Sequence, residues 1–163
     1  MAARALFGPP KAAPASGGLQ VACYLVPVFD GCLVVFDIHS KATSGRWLPW
    51  AVIDYGQNPY EAASLLADDW LNVPLDDLSL ADVLSLENEA GWELAIVFRA
   101  ALPTLPPGDA ERHTVRCEAG QFDAIAAFDP VDLERWVKGR DEGQGMGDEV
   151  ELRKPAAVTG LLF

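Results

Sequence analysis

The sequence predicts a mixed α/β (α+β) fold, a mixed-sheet sandwich with flanking helices. Three observations carry this prediction. First, Asp30-Gly31 joins two apolar runs, 19–29 and 32–38, and Asp-Gly between such runs is the strongest short-range hairpin signal. Second, residues 58–72 read as a well-capped helix. Third, the apolar strand 92–100 is followed downstream by a second helix start, at Asp129-Pro130. Helices in these positions can cover both faces of one mixed sheet.

Taken in order, residues 1–18 are rich in Ala, Pro and Gly and read as a flexible lead-in. The domain proper is expected over 19–140. The run 32–38 is almost wholly apolar, which predicts a central strand covered on both faces. Residues 39–46 read as a polar loop. Residues 47–53 are extended, with Pro49 marking an edge or irregular strand. In the next segment Asn58 is the N-cap, Pro59 takes the first helical position and Glu61 stands three residues after the cap. That helix should end near Asn72, before Pro74.

Residues 78–86 fit either a strand or a short helix. The prolines of 102–109 predict a loop. Residues 114–117 suit edge pairing, and 121–128 read as a strand. Asp129, Pro130 and Asp132 start a helix reaching about Val137. Residues 139–147 are Gly-rich and charged. The segment 141–163 closes in a hydrophobic tail, 158–163, expected to pack back on the domain or on a partner. Trp92 and Trp136 read as core residues.

Composition narrows the function classes. The 163 residues carry 24 acidic and 12 basic side chains, a formal net charge of -12. Nucleic-acid binders need a basic footprint, and none is evident. An acidic surface also disfavours anionic membranes. No run approaches the ~20 apolar residues of a membrane span. The start, Met1-Ala-Ala-Arg-Ala-Leu-Phe-Gly-Pro-Pro10, is too broken for a secretory hydrophobic region. The three cysteines, Cys23, Cys32 and Cys117, are odd in number and lack zinc-site spacing. A cytoplasmic protein is expected.

Several features now combine: the Asp30-Gly31 hairpin, the Trp47-Leu48-Pro49 strand end, Gly56 before the helix and the Glu61-Ala62-Ala63 helix start. Phe128-Asp129-Pro130-Val131-Asp132-Leu133-Glu134-Arg135-Trp136 closes the pattern. From Val21 to Val137 the chain resembles the Nudix hydrolase superfamily, with its MutT-like fold. The resemblance implies cleavage of a diphosphate linked to another moiety, with magnesium held by glutamates on one helix.

The family's defining box is nearly erased here. Its first Gly falls on Ala51 and its first Glu on Gln57. Its Arg-Glu pair falls on Leu65 and Leu66, its Glu-Glu pair on Asp69 and Trp70, and its late Gly on Asn72. Val73 keeps the closing apolar position. Positions 66, 69 and 70 share a helix face by spacing, but only Asp69 carries charge. Asp68 points about 100° away. A hard cation needs several oxygen ligands, so one carboxylate predicts no metal and no cofactor. Magnesium or manganese enters only if relocated acids, Asp54 first, assist Asp69.

Other chemistry is weaker. Asp76 and Asp77 read as loop or cap residues, and Glu87 and Glu89 flank a turn. His39 and His113 sit in loops without a nucleophile at useful spacing. Cys23 and Cys32 read as small buried groups that face one another if the hairpin is regular; Cys117 reads as the more exposed thiol. Gly143-Gln-Gly-Met-Gly147 lacks the Lys-Ser/Thr and following helix of a phosphate loop.

Ala62, Ala63, Leu66 and Trp70 instead form an apolar stripe, widened by Leu65 and Leu71, and this stripe needs a cover. The tail 158–163, a second subunit, or a planar ligand against Trp50 and Trp70 would each serve. The favoured expectation is a protein contact at the Leu66/Trp70 face, a homodimer or another partner. The protein is thus expected to be a catalytically inactive Nudix-like binding or assembly protein. Its cleft would be lined by Trp50, Gln57, Leu66, Asp69 and Trp70. The alternatives are an atypical hydrolase of a nucleoside diphosphate derivative using Asp69 and Asp54, and a small-molecule sensor whose aromatic cleft adds Trp47 and Tyr55.

Overall fold

The computed structural model describes residues 18–39, 44–88, 91–125 and 128–139. Seven strands form one mixed sheet: β1 (Gly18–Phe29), β2 (Cys32–His39), β3 (Ser44–Trp47), β4 (Trp50–Val52), β5 (Asp77–Asn88), β6 (Gly91–Ala101) and β7 (Arg112–Cys117). Two helices flank it, α1 (Pro59–Trp70) and α2 (Pro130–Lys138). The main strand order is β3-β2-β1-β6-β5, with β4 added to β1 and β7 to β2. β1 runs parallel to β6 from Gly18↔Gly91 to Val28↔Ala101, and the remaining pairs are antiparallel. This is the mixed-sheet, two-helix architecture that the residue pattern predicts.

The hairpin forms as Asp30-Gly31 requires. Both turn residues have positive φ, 50° and 73°, and the register sets Phe29 opposite Cys32. Such a turn matches the right-handed twist of its strands. β2 is the buried central strand expected from its composition: Leu33, Val34, Val35 and Phe36 are all fully buried. Alternate residues feed two cores. Cys23, Leu25, Val34, Phe36 and Phe98 face α1. Ala22, Val26, Leu33, Val35 and Val97 face α2, where Leu133, Trp136 and Phe128 close over them.

Several local expectations are settled or corrected. His39 ends β2, and residues 44–46 belong to β3 rather than to a loop. Residues 47–53 divide at Leu48-Pro49, where the Pro49 carbonyl accepts from the Leu25 N–H at 3.0 Å. Residues 78–86 are strand, within β5. Residues 121–124 do not form the expected strand, and Ile125 makes only an isolated bridge to Arg46. A 3-10 turn spans Ala119–Ala124, where Gln121 donates its N–H to the Glu118 carbonyl at 2.9 Å and its side-chain oxygen accepts from the Glu118 N–H at 3.0 Å. These local bonds outcompete a ladder. Trp136 is core at 2% exposure, but Trp92 is 52% exposed. The lead-in 1–17, Glu89, residues 140–147 of the Gly-rich stretch and the tail 158–163 lie outside the described residues.

Candidate functional site

Helix α1 starts where its residues dictate. Asn58 accepts from the Tyr60 N–H at 2.8 Å, and Pro59 follows at the first helical position. The turn before it is closed from both sides. Gln57 donates its N–H to the Asp54 carbonyl at 3.0 Å, and its side-chain oxygen accepts from the Asp54 N–H at 3.2 Å. Gly56 sits between them at φ 78°, a conformation that favours glycine. The Gln57 oxygen is thus committed to the turn, and Asp54 is exposed beside it.

The apolar stripe of α1 is covered from within. Ala62, Ala63, Leu66 and Ala67 are buried, Leu66 at 5% exposure, against Cys23, Leu25, Val34, Phe36 and Phe98. The expectation that Leu66 needs a tail, a subunit or a ligand as cover is therefore corrected: the sheet supplies it. Leu71 is buried too, whereas Leu65 stands 56% exposed. Trp70 is half-buried. Its ring meets Phe36 edge-on at 5.5 Å between centroids.

Asp69 is paired with a residue that sequence reasoning passed over. The two terminal nitrogens of Arg112 each donate to an Asp69 oxygen at 3.5 Å, and the guanidinium lies 4.7 Å from the centre of the Trp70 ring. Arg112 also donates through Nε to Asp109 at 3.0 Å. Burial works against its charge, but the bonds to Asp69 and Asp109 prevail and raise its pKa above the usual arginine value. Asp109 accepts from the backbone N–H groups of Glu111 and Arg112 and then from the guanidinium, which holds its carboxyl below the ordinary range. A built-in cation thus stands against the carboxylate and the indole at positions 69 and 70. Asn72, where the box has glycine, takes φ 50°, which Asn tolerates better than most residues.

The residues present do not fit a divalent metal. At the positions implied by the box stand a buried leucine, a guanidinium-paired aspartate, an indole and a glutamine turned into its own loop. Among the described residues no group of three or more His, Cys, Asp and Glu side chains is placed to hold a metal ion.

The aromatic residues are divided between faces. Trp50 pairs with Tyr24 in the β4–β1 ladder and shares its α2-side face. Trp47 pairs with Phe36 and shares the α1 side with Trp70. Trp50 and Trp70 therefore do not line one wall, and Tyr55 is exposed in the turn. Asp76 and Asp77 are exposed at the entry to β5, as is Glu87 near its end.

Other titratable groups serve structure. Glu93 is the buried acid of β6, accepting from the Tyr24 hydroxyl at 2.6 Å and from the Gln20 amide at 3.2 Å. A Glu inside the apolar run 92–100 was its only sequence signal. Burial, then the bond to Glu93, pushes the Tyr24 phenol above its ordinary pKa. Burial likewise pushes the Cys23 thiol up to about 12. Cys23 pairs with Ala51 and Cys32 with Phe29, so these cysteines do not face one another. Cys117 is fully buried and Cys32 is the partly exposed thiol, the reverse of the expected order. His39 and His113 lie on adjacent strands with ring centroids 5.3 Å apart.

This architecture is a divergent Nudix fold. The MutT protein of Methanosarcina mazei Go1 superposes with a TM-score of 0.63 at 12% identity, covering 77% of this chain and 97% of that one. The MutT Nudix hydrolase of Burkholderia pseudomallei gives 0.60 at 17% identity over 72% of this chain and 97% of that one. The E. coli ORF135 protein gives 0.61 at 10% identity over 79% and 96%. No protein-family model and no curated protein matches the sequence.

Proposed function

We propose that this chain uses the Nudix fold for binding or assembly and does not hydrolyse diphosphates. The observation that carries the reading is the occupancy of the box positions on α1. Leu66 is 5% exposed within the chain's own core, and Asp69 is held by Arg112 at 3.5 Å. A magnesium site built there would need hard oxygens at positions now filled by hydrocarbon. The reading carries no resident metal or cofactor. It is tested with a panel of nucleoside diphosphate derivatives, assayed with magnesium and with manganese. No turnover above the metal-only blank is expected; manganese-dependent turnover abolished by Asp69→Asn would establish the atypical hydrolase instead.

A protein partner, a second copy or another chain, fits this reading. The groups that α1 and its preceding turn offer are Leu65 and Tyr55, 56% and 66% exposed. Sedimentation of the wild type and of Leu65→Asp reads whether that surface associates. An assembly retained in the variant places the contact elsewhere. The small-molecule reading rests on Trp50, 38% exposed on the opposite face, and quenching of Trp50 by a planar ligand would support it.

A further inference from the structure

The chain has two histidines, far apart in sequence, and the fold brings them together. His39 ends β2, and His113 is the second residue of β7. Side chains alternate along a strand, so His39 shares its face with Asp37, and Asp37 stands directly opposite His113. The His39 N–H donates to the Glu111 carbonyl at 3.3 Å, which carries the ladder one residue past Ile38 and Arg112. His39 and His113 are therefore diagonal neighbours across two strands, within reach of long or aromatic side chains. Their ring centroids lie 5.3 Å apart, with the planes tilted by 60° rather than stacked. Both residues are exposed.

That separation is the one a shared ion sets. A metal bound by a ring nitrogen at about 2.1 Å lies about 3.2 Å from the ring centroid, so two imidazoles on one tetrahedral ion stand about 5 Å apart. The surroundings favour a cation. Asp37 and Glu111 flank the pair on β2 and at the entry to β7, in a chain of net charge -12. Arg112, between Glu111 and His113, lies on the other face against Trp70. Arg46, opposite Asp37 on β3, is bonded to that carboxylate at 3.2 Å. Asp37 is thereby committed, so the two imidazoles are the protein ligands and water completes the shell. Neutral imidazole suits zinc, copper and nickel, whereas magnesium and manganese prefer oxygen.

We propose that His39 and His113 form a two-ligand site for a late first-row divalent ion of the zinc and copper(II) class. Two protein ligands hold such an ion in exchange with solvent rather than as a resident group. The site stands apart from α1 and uses none of the box positions. An ion held there ties β7 to β2 through side chains as well as through the ladder.

Calorimetric titration of the full chain with zinc, joined to NMR of the two imidazoles, tests this. Zinc should give a saturable heat and shift the ring-proton resonances of both histidines together. Copper(II) should bind more tightly than zinc, and manganese should give no saturable heat, as the order of divalent affinities requires. His39→Ala and His113→Ala should each weaken zinc binding by roughly a hundredfold, because the second ligand no longer acts within the same molecule. Both positions are exposed, so far-UV circular dichroism should stay unchanged. Cys32→Ser, which removes the partly exposed thiol, should bind zinc as the wild type does. Absence of a saturable zinc heat, binding that survives in the double histidine variant, binding lost in Cys32→Ser, or a shift confined to one imidazole would each overturn the proposal.

Discussion

Leu66 and Asp69 decide the chemistry of α1 by opposite routes, one through burial and the other through pairing. Leu66→Ala should destabilise the protein by about 2–5 kcal/mol, read by urea unfolding. Leu66→Glu should cost more, since it leaves a carboxylate in the core without a partner. Recovery of metal binding by a folded Leu66→Glu protein would contradict the packing described. Asp82 supplies a pH test. It accepts from Arg135 at 2.6 Å and from the Trp136 indole at 3.1 Å. Burial works to raise its pKa, but these bonds and the Val83 N–H outweigh it and the carboxyl sits low. A depressed folded pKa contributes stability that is complete above the unfolded value near ~4. That contribution is lost as pH falls through the folded value. Asp82→Asn should therefore flatten the stability curve below about pH 4 and leave its shape near neutrality unchanged. At this scale Leu66 and Trp70 were legible, because helical spacing puts them on one face. Arg112 was not: its contact with Asp69 spans 43 positions of sequence and depends on how β7 pairs with β2.

Elements with local chemistry were legible, and those set by tertiary competition were not. The Asp30-Gly31 hairpin, the Asn58 cap and the Asp129 cap each carry their own hydrogen bonds, and all three form. Asn58→Ala should cost roughly 1 kcal/mol by removing the acceptor for the Tyr60 N–H, measurable as a shift in urea midpoint at constant slope. Asn72, which follows α1 with φ 50°, makes a second test. Asn72→Val should destabilise by about 1–2 kcal/mol, and Asn72→Gly should not. Equal effects of the two would exclude a left-handed requirement there. The segment 121–128 misled because its apolar residues suit a strand. In the structure Phe122 reaches the α2-side core from the 3-10 turn and Ile125 from its end, so burial was read correctly and conformation was not. Trp92 misled differently. An apolar strand context suggested core, but α1 is too short to cover the β5–β6 end of the sheet.

At the scale of the molecule, the fold and the usual reaction separate. The two cores, the parallel β1–β6 pair and the capped helix reproduce the Nudix architecture at identities of 10% to 17% in the superposed proteins. Fold at that distance says nothing of activity; the site must be argued from its own side chains. Here the helix face implied by the box is spent on packing against Cys23, Phe36 and Phe98, and its remaining acid is paired with Arg112. On the proposed reading this face offers no seat for a divalent ion. Calorimetric titration of the full chain with manganese tests it most directly. No saturable heat is expected up to millimolar metal, in the wild type and in Asp69→Asn alike. Saturable micromolar binding to the wild type that Asp69→Asn abolishes would contradict it.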